Sequence, residues 1–571
     1  MTPTTRMNKL LLMEILVIIV LLIGVVARCD SKSQNMLQFM IPTSDGTAKL
    51  NTIVSYPDPD LNADKPHDLV FERTPYGQGR LSDDRMVLNS AQYLYAGQDL
   101  RGCHNSTGEY DMWRSEWQDS QSTIQYLSKN LKGFSGNVFS VGASANAIAS
   151  YFQTREKVDW LKGQCLLVGT ADVYNFVFQG GAFRQQDLTY WLKFYAYQPQ
   201  FVQKVLDHES YSEFWEPVTL KSGENVTFPS LHISGWADLF LNGTLNAFDM
   251  YRKNRPNDTY LIVLPTGHCT KSQISFPGTD LMLHPEIFCP YLFKYGSLPS
   301  LDYVTFYMMG PDSVESGTMG NFYVTMKDFP ETRPIEFVLT SNQKLQAASN
   351  QDSMTYFGKP RVQTNPGKIP YVYNPSNPTP TIGGNNLMIP TCGPYDQREN
   401  EKRSDNILFT SDTFKDQMFI VGRMSVSFKV SSNCTDTDFV VRFSDVYPDG
   451  RSMLLGDSIL RMRWRESNVK KTLMEPGTIY PITISMWPTA YIFNPGHAMR
   501  ITITSSNSPR FSINPNNGLN LNQTGPQQIA LNTLFIDDSA VFTLPLVKKP
   551  FMLNKAKVDM KGVFSKIYKQ P

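Results

Sequence analysis

A change of pattern near residue 300 is the strongest constraint on how this 571-residue chain folds. From about residue 36 to 296, short apolar β-type runs alternate with helical stretches, and this alternation predicts an α/β sheet with crossover helices. From about residue 300 to 571, strands separated by Gly, Pro and Asn clusters follow one another without helices, which predicts an all-β sandwich or jelly roll. The clearest predicted elements are a helical stretch at 116–130 and strands at 93–98, 137–141, 304–308, 335–339, 424–430, 439–443 and 499–504.

Composition excludes two broad classes of protein. Lys and Arg total 53 and Asp and Glu total 52, which gives a formal charge of +1. Nucleic-acid binders usually carry a basic excess, so we predict no nucleic-acid partner. Hydrophobic residues make up 41% and charged residues 18%, which excludes a disordered, self-repelling chain.

The N-terminus reads as a targeting segment. Arg6 and Lys9 precede an apolar stretch at 10–27 that is interrupted by Glu14 and Gly24. Residues 1–28 are therefore predicted to be either a cleaved secretory signal or an uncleaved anchor, which would tether the protein to a membrane through residues 10–27. Both alternatives predict a secreted or extracellular protein, and neither determines its oligomeric state.

Export would allow disulfides and N-glycans. The chain has 7 cysteines, and the six beyond Cys29 could form up to three disulfides. We expect Cys269–Cys289 first, on sequence proximity alone. No cysteine or histidine cluster has zinc spacing, so no metal is predicted. The Asn-x-Ser/Thr sequons, which matter only if the protein is exported, are Asn105, Asn225, Asn242, Asn257, Asn433 and Asn522.

The first candidate for a catalytic residue lies at the junction of a predicted strand and a predicted helix. An apolar run at 138–141 enters the turn Gly142-Ala143-Ser144, and a helix-compatible run follows at once. This is the context of a nucleophile elbow, in which the serine hydroxyl projects above the sheet edge. Asn146 is larger than the glycine usual two positions after the serine. A serine at such a junction is more often a simple helix N-cap, so the motif alone is weak.

Two further side chains support a catalytic interpretation of this motif. Asp238 and His268 each lie just past a predicted strand, in the chain order Ser…Asp…His of α/β-hydrolases. His268 would take the proton of Ser144, and Asp238 would hold the imidazole and stabilise its charged form. Taken alone, His268 could also be an ordinary histidine at a turn.

With these positions, the chain resembles the X-Pro dipeptidyl-peptidase and cocaine esterase hydrolases, peptidase family S15, over nearly its whole length after the signal. The matching motifs are Arg73-Thr-Pro-Tyr-Gly77, Asp99–Gly108, Gly235-Trp-Ala-Asp238 and the His268 turn, followed by Asp445–Gly450 and Asn494–Arg500. The resemblance implies an α/β-hydrolase domain at 36–296 with an inserted helical cap at about 172–226, and a C-terminal jelly-roll β-sandwich at 300–571. The aromatic run of the cap could be core, substrate contact, or both.

The resemblance also implies roles for single residues. Ser144 would be the nucleophile, His268 the base and Asp238 the acid. The Tyr76 hydroxyl and the Ala145 backbone N–H would form the oxyanion hole, where each donor is worth roughly 3–4 kcal/mol in acyl transfer. Without the resemblance, Tyr76 reads as a packing aromatic beside a turn. Water is the second substrate, and no cofactor is implied.

The substrate class remains open at this point. The family implies small-molecule esters or amides, or short peptides with an N-terminal Xaa-Pro. A dipeptidyl-peptidase must capture a free α-amine, and Asp187 and Glu213 are the cap acids that could do so. The alternative is a weakened or inactive family member that acts as a secreted or surface binding protein. It is motivated by the elbow, where Ala145, Asn146 and Ala147 replace the family's Tyr-x-Gly; the intact placement of Asp238 and His268 argues against it.

The remaining charged motifs favour structural roles. Arg101 is predicted to pair with a carboxylate such as Asp99 or Asp119. His497 belongs to the second domain and is not a candidate for the triad. A group of second-domain aspartates favours turn chemistry and arginine pairing over a calcium site: Asp436, Asp438, Asp445 and Asp449.

Overall fold

The computed structural model describes residues 36–56, 65–78, 93–268, 272–278, 285–312, 317–361 and 366–568. The predicted apolar segment at 10–27 lies outside these ranges, so its fate stays a prediction. Among the described residues, no helix is both long and apolar enough to span a bilayer.

The first domain is built on one sheet with helices on its faces. Its strands are β1 (Met36–Pro42), β2 (Lys49–Ser55), β3 (His67–Thr74), β4 (Leu94–Asp99), β5 (Phe134–Ala143), β6 (Leu161–Leu167), β9 (Ser230–Ala237), β10 (Thr259–Gly267), β11 (Val304–Met308) and β12 (Phe322–Met326). Its helices are α1 (Glu116–Asn130), α2 (Ala145–Phe152), α6 (Leu241–Asn254) and α7 (Pro285–Tyr295).

The strands hydrogen-bond in the order β1-β2-β4-β3-β5-β6-β9-β10-β11-β12. Pairing is parallel from β4 through β11 and antiparallel at both ends of the sheet. Central strands such as β10 are buried along most of their length, as expected for a parallel sheet covered on both faces. The carboxyl ends of the parallel strands meet at one edge, where α/β proteins bind ligands.

The cap lies between β6 and β9, within the predicted range of about 172–226. It contains α3 (Val173–Val177), β7 (Phe178–Gln179), β8 (Ala182–Phe183), α4 (Gln185–Phe194), α5 (Phe201–Leu206) and a 3₁₀ turn (Glu216–Val218). The aromatic side chains of the cap differ in how deeply they are buried. Trp215 and Tyr174 are buried, whereas Phe194 and Tyr197 are exposed. The core role predicted for this aromatic run therefore holds for part of it, and contact with a substrate stays a prediction.

The second domain is a sandwich of two antiparallel sheets. One sheet contains β13 (Thr332–Leu339), β14 (Leu345–Ala347), β15 (Gly367–Tyr373), β17 (Met418–Ser432), β20 (Tyr480–Phe493), β22 (Ala530–Ile536) and β23 (Val541–Val547). The other sheet contains β16 (Ile407–Thr410), β18 (Asp438–Val446), β19 (Ser452–Arg461) and β21 (Ala498–Thr504). Between the sheets, the Phe443 ring lies 5.7 Å from that of Phe493 and 5.0 Å from that of Phe542. The predicted β-sandwich is confirmed.

Short helices complete the second half: α8 (Asn350–Phe357), α9 (Arg398–Glu401), a 3₁₀ turn (Met462–Trp464), α10 (Pro550–Lys555) and α11 (Met560–Tyr568). The predicted helix at 116–130 coincides with α1, and the predicted strands listed above match observed ones with ends that differ by up to six residues.

The predicted boundary at residue 300 is wrong for two segments. β11 and β12 lie beyond it but continue the first sheet, because β11 pairs in parallel with β10. The chain end also returns to the first domain, where the Phe564 ring lies 5.1 Å from that of Phe288. A β pattern shows that a strand exists but not which sheet it joins.

The predicted Cys269–Cys289 disulfide is wrong. Cys289, on α7, is bonded to Cys165 on β6, 124 residues away in sequence. The helix packs against this strand, so closeness in space overrides closeness along the chain. Cys103 and Cys434 are buried free thiols. Cys269 lies outside the described residues.

The charged motifs pair as predicted, except that the partner of Asp445 is a histidine. Arg101 binds Asp119 through two hydrogen bonds of 3.2 and 2.6 Å, and a further salt bridge joins it to Asp45. In the second domain the aspartates meet basic partners, in the pairs Asp436–Arg463, Asp438–Arg461, Asp445–His497 and Asp449–Arg451.

Candidate active site

Ser144 lies on a sharp turn between β5 and α2. Its backbone has φ 58° and ψ −123°, a conformation that costs energy for a residue with a side chain. The turn is possible because Gly142 has no side chain: a Cβ there would lie 2.4 Å from the backbone carbon of Asn146. This is the geometry of a nucleophile elbow.

The unusual residues after Ser144 fit into this turn. Ala147 takes up space that Gly169 leaves free, since a Cβ on Gly169 would lie 2.6 Å from the Ala147 Cβ. The Asn146 side chain reaches β3, where its Nδ2 donates a 2.7 Å hydrogen bond to Glu72 Oε1. The departures from the family's motif therefore leave the elbow intact.

Ser144, His268 and Asp238 form a continuous hydrogen-bonded chain. Ser144 Oγ lies 3.0 Å from His268 Nε2, and His268 Nδ1 lies 2.7 Å from Asp238 Oδ2. The Asp238 side chain is buried and that of His268 nearly so. The second carboxylate oxygen of Asp238 accepts a 2.7 Å hydrogen bond from the Phe240 N–H, which fixes its orientation.

Tyr76 lies opposite this chain. Its hydroxyl interacts with the Ser144 hydroxyl and the Ala145 N–H. Trp191 Nε1 donates a 3.0 Å hydrogen bond to the Tyr76 oxygen. Because the oxygen already accepts this bond, the phenol proton can point toward the serine. Burial raises the pKa of Tyr76 above its ordinary value of 10.0, so the phenol keeps its proton at neutral pH.

Buried ion pairs hold the strand that leads to Tyr76. Arg73, near the end of β3, forms a 2.5 Å salt bridge with Glu116 and lies 3.6 Å from Asp119 on the same helix. Arg101 reaches Asp119 from the other side. Removing one partner from such a buried network leaves an uncompensated charge, so the network fixes β3 against α1.

A small cavity of about 30 Å³ adjoins Ser144. Most of its wall is apolar, formed by Met112, Trp113, Ala145, Ile148, Phe176, Leu188, Trp191, Leu239, Phe240 and Leu387, and its polar lining residues are Ser144 and Asp187. The cavity therefore suits an apolar group attached to the carbon that Ser144 would attack.

Neither predicted cap acid is available for an amine. Asp187 lines the cavity, but its Oδ1 accepts the N–H groups of Leu387 and Met388 at 3.1 and 2.9 Å. Its Oδ2 faces Arg184 at 3.2 Å. Glu213 is exposed and is not part of the cavity wall.

The second domain contributes to the site through the loop after β15. Asn385 Nδ2 donates a 2.9 Å hydrogen bond to the Asp238 carbonyl, and its own carbonyl accepts from Arg184 at 2.8 Å. Leu387 adds to the cavity wall. The sequence marks 373–389 as a long loop rich in Pro, Asn and Gly, and such loops are often functional. The sequence does not indicate which residues of this loop reach the site. It likewise contains no local signal for the hydrogen bond between Trp191 and Tyr76.

Two family models match the chain in order. Residues 45–199 and 192–270 match the X-Pro dipeptidyl-peptidase (S15 family). Residues 314–536 match the X-Pro dipeptidyl-peptidase C-terminal non-catalytic domain. The chain belongs to the S15 family of hydrolases. The S15 match covers all the residues of the hydrogen-bonded chain and Tyr76, while Asn385 falls in the domain described as non-catalytic.

Relatives share both domains of this S15 member. Cocaine esterase from Rhodococcus sp. (strain MB1 Bresler) is 25% identical over 84% of this chain and 92% of its own. Two solved structures share the fold. An α-amino acid ester hydrolase has a TM-score of 0.74 with 20% identity, over 92% of this chain and 98% of its own. An aminopeptidase from a marine sediment Thaumarchaeota archaeon has a TM-score of 0.72 with 19% identity, over 91% and 98%.

Proposed function

We propose that the protein is a serine ester hydrolase that works through an acyl-enzyme at Ser144. The observation that carries this proposal is the hydrogen-bonded chain Ser144–His268–Asp238, set on a strained elbow beside Tyr76. Binding alone requires no such strain and no such chain. An inactive binding protein is therefore the less favoured alternative.

The two chemical steps follow from the geometry. Ser144 Oγ attacks the ester carbonyl carbon while His268 Nε2 takes the hydroxyl proton. The oxygen of the tetrahedral intermediate accepts hydrogen bonds from the Tyr76 hydroxyl and the Ala145 N–H. The C–O bond to the alcohol then breaks, and His268 returns the proton to the leaving alcohol. Water, activated by His268, attacks the acyl-enzyme in the same way and releases the acid and free Ser144.

The cavity favours an apolar acyl group over a free α-amine. An ammonium group needs acceptors, and the oxygens of Asp187 are already used by two backbone N–H groups and by Arg184. An unpaired ammonium in an apolar cavity would pay an uncompensated desolvation cost. We therefore propose small esters with apolar acyl groups as substrates, which agrees with the name of the cocaine esterase relative, and we expect Xaa-Pro peptides to be poor substrates.

A fluorophosphonate probe tests the proposal directly. The wild type should be labelled at Ser144 and should hydrolyse 4-nitrophenyl butyrate, and Ser144→Ala should lose labelling and at least ~10⁴-fold of the ester activity. Ser135→Ala, at the exposed start of the same strand, is the matched control and should keep both. Xaa-Pro 4-nitroanilide should be cleaved far more slowly than the ester. A folded wild type without labelling would refute the proposal and favour the binding protein.

A further inference from the structure

A buried bridge joins the elbow to the neighbouring strand β3. Asn146 Nδ2 donates to Glu72 Oε1 at 2.7 Å, and the Tyr95 hydroxyl donates to Glu72 Oε2 at 2.6 Å. The exposed fractions are 6% for Asn146, 3% for Glu72 and 0% for Tyr95. Hydrogen bonds to a buried carboxylate are stronger than neutral ones, so this bridge is firm.

The bridge connects the two donors proposed for the oxyanion. Asn146 directly follows Ala145, whose N–H is one donor. Glu72 lies near the end of β3, and the chain continues from it through Thr74 to Tyr76, which is the other donor. Thr74 Oγ1 also accepts a 3.1 Å hydrogen bond from the Tyr76 N–H, so the segment from Glu72 to Tyr76 is not loose.

Arg73, the residue after Glu72 on β3, is held by contacts on the opposite face of the sheet. Glu72 binds the elbow, whereas Arg73 binds Glu116 and Asp119 on α1. Side chains of successive strand residues point to opposite faces, so the two contacts clamp β3 from both sides. The strand that leads to Tyr76 therefore cannot shift toward or away from the elbow without breaking one of them.

We propose that Asn146 and Glu72 are positioning residues that fix the spacing between the Tyr76 hydroxyl and the Ala145 N–H. The inference rests on the proposed function, because it assigns this spacing a role in holding the oxyanion. Donors act on an oxyanion only within about 3 Å, and a shift of about 1 Å can cost about 10²-fold in rate. Asn146, which departs from the usual elbow pattern, thus holds the elbow to β3 through its own side chain.

Steady-state kinetics with 4-nitrophenyl butyrate test this role. Asn146→Leu keeps the volume but removes the donor, and we expect kcat to fall about tenfold with KM within about twofold. Glu72→Gln should stay within about threefold of the wild type, because its amide oxygen still accepts from Asn146. Asn137→Leu is the matched control. Its Nδ2 donates to Asp68 Oδ1 at 3.1 Å and so joins β5 to β3 at the start of both strands, away from Ser144, and kcat should not change.

A double-mutant cycle separates positioning from general stability. In a Tyr76→Phe background one donor is already absent, so Asn146→Leu should lower kcat by much less than tenfold. An equal loss in both backgrounds would mean a structural effect and would overturn the inference, as would an unchanged kcat in folded Asn146→Leu. Melting temperatures check folding, and Asn146→Ala carries the same test if the leucine variant does not fold.

The outcome is distinguishable from failure of the proposed function. An inactive and unlabelled wild type refutes the serine hydrolase itself. An active wild type whose Asn146→Leu variant keeps full kcat refutes only the positioning role.

Discussion

The two sides of the candidate site are held in different ways. The nucleophile side, named after the role proposed for Ser144 and including Tyr76, is fixed by buried contacts within the α/β domain, such as Asn146 with Glu72. The acid–base side, named after the roles proposed for Asp238 and His268, is supported in part from the other domain, because Asn385 binds the Asp238 carbonyl.

This difference concerns the interface between the domains. The α/β domain supplies the contacts around the elbow, whereas the turn that carries Asp238 is held by contacts within the α/β domain and also by Asn385 of the other domain. The C-terminal domain, whose family description is non-catalytic, thus contacts the backbone of the turn that carries Asp238. Disturbing the interface should affect proton transfer before it affects the position of Ser144.

The largest effect is expected from the acid–base side. Asp238→Asn keeps the shape but removes the negative charge facing His268 Nδ1, 2.7 Å away. We expect kcat for 4-nitrophenyl butyrate to fall about 10⁴-fold, because the imidazole takes the wrong tautomer and its charged form is no longer stabilised. Asp258→Asn, which changes an aspartate paired with Arg255, should leave kcat unaltered. A loss of less than tenfold in Asp238→Asn would exclude a triad.

An intermediate effect is expected across the domain interface. Asn385→Ala removes the 2.9 Å hydrogen bond to the Asp238 carbonyl, and we expect kcat to fall about tenfold as that turn loosens. Asn374→Ala, at the exposed start of the same loop, should behave like the wild type in the same kinetic assay. Equal kcat values for the two variants would mean that the second domain gives the acid–base side no support.

The smallest effect on catalysis is expected beneath the acid–base side, where the change is one of stability. His232 is buried on β9, the strand that ends before Asp238, and burial lowers its pKa from 6.5 to about 3. Between these values the unfolded chain binds a proton that the folded protein excludes. The free energy of unfolding should therefore decrease as pH falls from about 6.5 toward about 3, by up to about 1.4 kcal/mol per pH unit.

Urea unfolding at several pH values measures this dependence. His232→Gln should flatten the slope below pH 6.5, while His104→Gln, at an exposed histidine, should keep it. Identical slopes in the wild type and His232→Gln would show that other groups dominate the acid response.

The sequence predicted the fold, and the meeting of three candidate site residues, better than it predicted their surroundings. Ser144, Asp238 and His268 each follow a strand of a parallel sheet, and such strand ends converge at one edge whatever the detailed packing. Of the two partners expected for Arg101, Asp119 on α1 is the one that it meets. The positions of these residues follow from topology alone.

The errors and omissions all involve distant contacts. Cys289 pairs with Cys165 and not with Cys269, and Asp187 binds backbone N–H groups of a loop 200 residues further along the chain. Asn385 and Trp191 were not recognised for the same reason. Periodicity and turn chemistry describe neighbours along the chain, whereas these contacts exist only once the domains are assembled.

The return of the chain end to the first domain has a consequence for biosynthesis and for dissecting the protein. Ala556 and Val558 hydrogen-bond to residues of β12, and α11 packs on α7. The outer strand of the first sheet is therefore completed by residues from a distant part of the chain, beyond the whole β-sandwich. A fragment that ends near residue 300 would lack two strands of that sheet and the helices that cover it, so the α/β domain should reach its final form only after the ribosome has made α10 and α11.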